Sequence, residues 1–251
     1  MKGDGENVVQ HFTARAERYD RSSRWCTDDA LLDLIFESAE VGSESRVLDI
    51  ACGTGLVSAR FKGRVAEVVG LDLTPAMAEQ ARERLDTFVA GSAHELPFAD
   101  STFDAVVCRQ GIQFMDLGRV LPEMVRVLRP GGRLVTADLH AYNHLDRAEY
   151  FEVLRLRNPA RRNFFVSGDL LGPLFEAGCT QVNALPYVSV EDVDAWSDNG
   201  AIAESRREAI RDIYRNGSEA FLSRHHAEIT SEDGVERIVD HMLFHVTVGL
   251  K

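Results

Sequence analysis

Short apolar runs rich in valine and leucine recur along residues 46–140. Runs of this length and composition are typical of strands buried on both faces of a sheet. The predicted strands are 46–51, 67–73, 87–92, 102–109 and 133–140. The segments between them place apolar residues at helical spacing, which predicts helices, among them 57–61, 76–85 and 116–128.

The remaining chain follows a less regular pattern. Residues 6–40 have amphipathic helical spacing, and GDLLGPLFEAGC (168–179) reads as a helix that ends at glycine. The segment 180–190 is compatible with a strand, and HMLFHVTVGL (241–250) predicts a final strand. Residues 191–239 are strongly charged and predict helices between these last two strands.

Strands that alternate with helices predict an α/β fold, doubly wound and Rossmann-like, with a seven-stranded, mainly parallel sheet covered by helices on both faces. We expect one domain over 1–251, in which 1–40 form a helical cap and 41–140 form the cofactor-binding core. Residues 141–251 form the acceptor-side half, with a helical insertion at about 191–239.

The bulk composition narrows the function classes. The net charge is −12, from 40 acidic and 28 basic residues, and an acidic surface repels nucleic acid. A local basic patch, RNPARRN (157–163), does not change that expectation. No apolar run approaches the roughly 18–20 residues that a membrane span needs. The first residues also lack an apolar signal-peptide core, so we expect a cytoplasmic protein.

No metal site is expected. The four cysteines are far apart in sequence and form no CxxC pair, which argues against a disulfide framework and a zinc ribbon. His241 and His245 have a spacing that suits two metal ligands on a helix, but they lie in a predicted strand.

The glycine loop after the first strand reads VLDIACGTGL (47–56). Gly53 and Gly55 supply two glycines of the dinucleotide pattern GxGxxG, but Ser58 stands at the third position, and no P-loop GK[ST] follows. Asp49 would repel a pyrophosphate, whereas it would favour a cationic ligand. The loop therefore suits an uncharged or cationic nucleoside.

Asp72 ends the second predicted strand, 17 residues after Gly55. A carboxylate at that place can accept hydrogen bonds from both ribose hydroxyls. A ribose without phosphate, joined to a positive charge, describes S-adenosylmethionine. The structural alternative is that Asp49 and Asp72 only cap turns or helices.

The motifs together resemble a class I S-adenosylmethionine-dependent methyltransferase of the quinone-biosynthesis and small-molecule subgroup. Five segments match in order: LDIACGTG (48–55), GLDLTPAM (70–77), AGSAHELPF (90–98), FDAVVCRQGIQFMD (103–116) and VLRPGGRL (127–134). They lie within residues 46–140, and this close match covers about two fifths of the chain. FTARAERYD (12–20) resembles the family's N-terminal segment more weakly.

The resemblance implies S-adenosylmethionine as cofactor and a set of residues that contact it. These are Tyr19, Asp49, Ala51, Gly53, Gly55, Asp72, Leu73, Met77, Ser92, Ala93, Arg109 and Gln110. One position departs from the pattern, because the family commonly has aspartate where this chain has Ser92, and that aspartate binds the adenine amino group. Ala93 backbone and His94 are then expected to matter more.

For catalysis, the sequence offers His140 at the end of the fifth strand and His11 in the N-terminal helix as bases, with Tyr142 and His144 as neighbours. Gln113 is expected to face the methyl group or the acceptor. An ordinary structural role is the alternative for each of these residues. Methyl transfer from a sulfonium depends mainly on alignment, so a base is not obligatory.

The expected partner is a small organic acceptor, since aromatic residues are frequent in the segments that should surround it. Final strands and helical caps of this kind can pair, so a homodimer is an allowed assembly. Three other functions stay open: an enzyme of the same fold that binds the cofactor without methylating, a non-catalytic binding protein, and a nicotinamide oxidoreductase.

Overall fold

In a computed structural model, which describes residues 2–21 and 23–251, one mixed sheet runs through the molecule. Its strands are β1 (Arg46–Ile50), β2 (Glu67–Asp72), β3 (Thr87–Ala90), β4 (Phe103–Arg109), β5 (Leu128–Ala141), β6 (Phe165–Val166), β7 (Gln181–Asp192), β8 (Glu228–Glu232) and β9 (Val235–Leu250). The main path of the sheet is β3-β2-β1-β4-β5-β9-β7, with β6 beside β5 and β8 beside β9.

Helices connect and cover these strands. They are α1 (Lys2–Arg15), α2 (Asp29–Ser38), α3 (Ser58–Phe61), α4 (Pro75–Ala81), α5 (Leu117–Val127), α6 (Arg147–Arg157), α7 (Leu171–Glu176), α8 (Val193–Ser197), α9 (Glu204–Arg215) and α10 (Glu219–Arg224). Short 3₁₀ turns lie at Ala16–Arg21, Arg24–Cys26 and Ile112–Phe114. The helical segment predicted over 6–40 consists of α1, two 3₁₀ turns and α2. Ser22, within it, lies outside the described residues.

The strand order reverses at β1, because β2 and β3 lie on one side of it and β4 and β5 on the other. The strands β1 to β5 are parallel to their neighbours in this part of the sheet. A crevice opens outside the carboxyl ends of the strands at such a reversal, which is where doubly wound proteins bind ligands. The fold therefore confirms the predicted α/β class and places the glycine loop at this crevice.

Two short strands, β6 and β8, extend the seven-stranded path to nine strands among the described residues. The strand β8 and the first residues of β9 fall inside the insertion that we predicted to be helical up to residue 239. They form a hairpin in which Glu232 pairs with Val235. Asp233 and Gly234 make its turn with φ values of 51° and 78°. An Asp-Gly pair between β-prone residues favours such a turn, so the local sequence accounts for the hairpin.

The central strands β1, β2 and β4 are buried on both faces. Two hydrophobic cores lie on opposite faces of the sheet, and successive residues of β1 belong to different cores. Val47 belongs to the core that contains Trp25 and Leu31, whereas Leu48 belongs to the core that contains Val106. Burial on both faces explains why the parallel strands read as nearly continuous apolar runs. Among helices within residues 2–21 and 23–251, none combines the length and apolarity needed to span a bilayer.

Candidate functional site

A cavity of about 300 Å³ opens at the carboxyl ends of β1, β2, β3 and β4, beneath the N-terminal segment. Its lining consists of Val8, Phe12, Tyr19, Ala51, Gly53, Leu71, Asp72, Leu73, Thr74, Met77, Gly91, Ser92, Ala93, His94, Gln110, Gly111, Phe114, Met115, Asp116, Arg119 and Arg162. Nine of the twelve residues predicted to contact the cofactor line this cavity: Tyr19, Ala51, Gly53, Asp72, Leu73, Met77, Ser92, Ala93 and Gln110.

The loop after β1 leaves open space for a ligand. Gly53 has a φ of +53°, and a Cβ added there would meet no atom within 4 Å. Ala51, at the start of the same loop, also has a positive φ of 55°, which is unfavourable for a residue with a side chain. Strained backbone of this kind concentrates at functional sites, where the surrounding structure maintains it.

Asp72 ties the end of β2 to the glycine loop. One carboxylate oxygen accepts a hydrogen bond from Gly53 N at 2.8 Å, and the other accepts one from Thr74 N at 2.7 Å. Burial raises the pKa of this carboxyl, while the two backbone donors oppose that rise. Asp72 lines the cavity, and a carboxylate has about four lone-pair sites, so Asp72 has the capacity to accept from hydroxyl groups of a ligand.

A second polar group forms at the end of β3. Asp116 N donates to His94 Nε2 at 3.1 Å, which places the ring proton of neutral His94 on Nδ1. That Nδ1 lies 3.1 Å from Ser92 Oγ, which also accepts from His94 N at 3.2 Å. Since Ser92 Oγ receives two donors, its own proton remains for a ligand. Burial also lowers the pKa of His94, which favours the neutral ring.

The carboxylate of Asp116 belongs to the same end of the cavity. It precedes α5, but its side chain makes no capping hydrogen bond to that helix. Asp116 therefore offers an acceptor near Ser92, to which it is joined through His94. The sequence contained a signal for it, because Asp116 ends the matched segment after β4.

Two glutamine side chains connect β4 to a smaller inner cavity. Gln113 Nε2 donates to Gln110 Oε1 at 3.0 Å, which leaves Gln110 Nε2 and Gln113 Oε1 buried without a partner among the described residues. Gln110 has a positive φ of 53°, like Ala51 across the cavity. Gln110 lines both cavities, so the amide pair stands at their junction.

The inner cavity measures about 20 Å³, which is room for roughly one water-sized group. It is lined by Phe12, Tyr19, Trp25, Gln110, Gln113, Phe114, Leu139, Leu154, Arg157, Asn158 and Arg161. Three aromatic rings lie between the two cavities. Phe12 contacts Phe114 edge to face at 5.3 Å between ring centroids, and it lies 6.2 Å from Tyr19.

The N-terminal segment is fastened over the glycine loop by polar contacts. Thr54 Oγ1 donates to Asp20 at 2.6 Å, and Arg84 donates to the other oxygen of Asp20 at 2.7 Å. Gln80 Nε2 also donates to Ala16 O at 2.8 Å. These contacts close the cavity from above and bring Tyr19 into its lining.

Three predicted cofactor residues lie outside the cavity lining. Asp49 is 1% exposed, and its carboxylate accepts from Ser58 Oγ at 2.6 Å beneath the loop; burial raises its pKa to about 7. Gly55 has a φ of +81° and packs close to Ala81, so its glycine is required by the turn. Arg109 donates to the carbonyl oxygens of Trp25 and Cys26 and thus holds the N-terminal segment.

The two predicted histidine bases also lie outside both cavities. His140 is fully buried, bonds Val166 O through Nδ1 at 3.1 Å and stacks on His245 at 4.7 Å. Burial lowers the pKa of His140 to about 3. The alternation along β5 explains this, because Leu139 faces the inner cavity and its neighbour must face away. His11 is buried against Phe12. Gln113 does line the inner cavity.

The structure also bears on metal binding and on the cysteines. In residues 2–21 and 23–251, no group of three or more histidine, cysteine or acidic side chains could hold a metal ion. Among the described residues the four cysteines form no disulfide, and all four are buried. No motif pointed to Arg162 or Val8 as cavity residues, because they reach the cavity from segments distant in sequence.

A methyltransferase domain model matches residues 48–136. The demethylmenaquinone methyltransferase of Beutenbergia cavernae is 34% identical over 237 residues, which cover 89% of this chain and 91% of that protein. The crystal structure of YcgJ from Bacillus subtilis superposes with a TM-score of 0.79 at 24% identity, covering 88% of this chain and 97% of that one. The [4+2]-cyclase SpnF has the same fold, with a TM-score of 0.59 at 20% identity over 89% of this chain and 81% of its own.

The cavity geometry agrees with these similarities. An adenosyl ligand with a polar tail suits the open loop at Gly53, the carboxylate of Asp72 and the unpartnered amide nitrogen of Gln110. The chain belongs to the class I S-adenosylmethionine-dependent methyltransferases of quinone-biosynthesis type. Membership of this family makes S-adenosylmethionine its cofactor.

Proposed function

We propose that this methyltransferase acts on a small organic acceptor with an aromatic or otherwise flat apolar body. The continuity of the two cavities carries the proposal, because Phe12, Tyr19, Gln110 and Phe114 line both. A ligand in the larger cavity would thus meet a second ligand at a boundary made of three rings and one amide pair. Flat apolar bodies pack well against such rings.

Within the larger cavity, we assign the ribose end to Asp72 and the adenine end to Ser92, His94 and Asp116. Asp116 would supply the carboxylate that Ser92 lacks. The amide of Gln110 would meet the methionine end, where its buried Nε2 needs an acceptor. When bound, S-adenosylmethionine supplies a methyl group on a sulfonium; the residues named here align it and exclude water.

The test is calorimetric titration followed by a transfer assay. We expect heat with S-adenosylmethionine and S-adenosylhomocysteine and none with NAD. Labelled methyl transfer is then measured against phenols, aromatic acids and amines. The matched control is Gly53→Val, in which the added side chain is strained at φ +53° and fills the open space. A wild-type protein that binds no adenosyl ligand, or a control variant that binds normally, contradicts the assignment.

An enzyme that binds the cofactor without transferring methyl is the second candidate. One observation favours it: among the described residues that line the inner cavity, none is a histidine, aspartate or glutamate that could remove a proton. Tight binding of S-adenosylmethionine without transfer to any acceptor in the panel would support this candidate over the first.

The proposal also includes three expectations, which concern nucleic acid, cellular location and oligomeric state. The net charge of −12 supports a substrate other than nucleic acid. A cytoplasmic location and a homodimer are proposed as well, and fractionation and light scattering test them.

A further inference from the structure

The charge at the inner cavity distinguishes it from the cofactor cavity. Two guanidinium groups, Arg157 and Arg161, line it, and no described lining residue is a carboxylate. A small enclosed space with cationic walls favours an anion. The following inference rests on the proposed transfer to a small acceptor and concerns the chemical class of that acceptor.

Arg161 carries the argument. Its Nε donates to Asn163 O at 2.9 Å, and one terminal nitrogen reaches Leu139 O at 3.4 Å. No described carboxylate lies within 4.0 Å of its guanidinium, whereas Arg157 is engaged by Ser23 and by Trp196 O. A guanidinium has five N–H donors, so most of those on Arg161 remain unused.

The nearest acid does not neutralise this charge. Asp138 lies beside Arg161 in the interior, but burial raises the pKa of Asp138 to about 8. Asp138 therefore holds a proton at neutral pH. Burial lowers the pKa of Arg161 only to about 10, so the guanidinium stays charged. The interior around Arg161 thus keeps a net positive charge.

Gln113 provides an independent sign that a polar ligand group belongs here. It is 2% exposed, it lines the inner cavity, and its Oε1 has no hydrogen-bond partner among the described residues. Rotating the amides of Gln110 and Gln113 together would exchange the free acceptor for a free donor while their mutual bond is kept. In either arrangement one polar atom of each glutamine is left buried without a partner among the described residues, which is costly without a ligand.

We propose that the acceptor carries an anionic oxygen, a carboxylate or a phenolate, which enters the inner cavity and binds Arg161 beside Gln113. An ionised acceptor also removes the need for a base. In the transfer, an electron pair of the acceptor forms the bond to the methyl carbon while the carbon–sulfur bond breaks and its pair stays on sulfur. The acceptor loses one negative charge, and the sulfonium becomes a neutral thioether.

The experiment measures binding to the protein saturated with S-adenosylhomocysteine. Benzoate is compared with benzamide for the carboxylate, and ionised 4-nitrophenol with 4-nitroaniline for the phenolate. We expect at least one anion to bind about 10-fold or more tightly than its neutral twin, the scale of one charge-assisted hydrogen bond. Arg161→Gln should reduce that ratio to about two-fold or less, and Arg161→Lys should keep part of it.

Arg155→Gln is the matched control, because Arg155 lies on α6, which precedes the segment of Arg161, and it pairs with Glu152 at the surface. It should keep the full preference. Arg161→Met is the second variant if Arg161→Gln does not fold, as judged by circular dichroism. The inference is overturned if both anions bind no more tightly than their neutral analogues, or if Arg161→Gln keeps the preference for the anion. If neutral acceptors are methylated and Arg161→Gln does not alter that rate, only this inference fails; if S-adenosylhomocysteine does not bind, the proposed function fails with it.

Discussion

The two ends of the active site are built from groups of opposite charge and are held in place differently. At the cofactor end the buried charge is the carboxylate of Asp72, and it is fixed by backbone N–H groups from Gly53 and Thr74. At the inner end the charges are the guanidinium groups of Arg157, at the end of α6, and of Arg161, in the segment after it. The layout suits a cationic methyl donor that meets an anionic acceptor.

The supports of the two ends differ as well. The cofactor end is maintained by short loops directly after strands. The acceptor half depends on a buried charge network in which His225 lies 2.8 Å from Asp240 and 3.2 Å from Asp146. Asp146 also accepts from Tyr142 N and Asn143 N, which fixes the loop after β5. The stability of the acceptor half should therefore respond to pH and to the loss of one charge, whereas the loss of a charge at the cofactor end should mainly weaken ligand binding.

The largest expected effect is on this network. His225 is fully buried, and its two carboxylate partners raise its pKa to about 9 against the desolvation that lowers it. Removing the imidazolium in His225→Gln leaves two buried carboxylates less compensated. The expected loss is about 3–5 kcal/mol of unfolding free energy at neutral pH, measured by denaturant unfolding.

The pH dependence gives the same network a second test. The folded pKa of His225 lies above its ordinary value, so its stabilisation is complete below about pH 6.5 and is lost as pH rises through about 9. The wild type should lose about 3 kcal/mol across that window, and His225→Gln should not. His226→Gln is the control, because His226 is the exposed neighbour and should change stability by less than about 0.5 kcal/mol. A wild type with constant stability over this range would contradict the network.

The second prediction concerns Asp72. Asp72→Ala should weaken S-adenosylhomocysteine binding by about 100-fold in calorimetry, because it removes the acceptor for the ligand and frees two backbone N–H groups that shape the loop. Asp104→Ala is the control, since Asp104 also accepts from a backbone nitrogen, that of Arg46, at the opposite end of the sheet. That control should lower stability but leave affinity within about two-fold. Equal losses in both variants would show that Asp72 acts through folding alone.

The same contrast explains which parts the sequence predicted. Ala51, Gly53 and Asp72 lie directly after strands, so local pattern and motif spacing placed them in the cavity. Arg161 and Leu139 meet because the segment after α6 packs against β5, and no local pattern records that contact. His140 does not line either cavity, because one step along a strand reverses the face of the sheet to which a side chain points. The prediction of helix was wrong at 228–239, where an Asp-Gly turn joins two strands into a hairpin.

The smallest predicted effect tests whether Asp116 replaces the carboxylate missing at Ser92. Asp116→Asn keeps the size of the side chain and the backbone N–H that bonds His94. It removes the charge from the proposed adenine end, so S-adenosylhomocysteine should bind about 5-fold more weakly, the scale of about 1 kcal/mol. Because the Asp116 side chain makes no capping bond to α5, the unfolding free energy should stay within about 0.5 kcal/mol. Unchanged affinity would leave adenine recognition to Ser92 and His94, and a loss of stability would mean that Asp116 supports the helix instead.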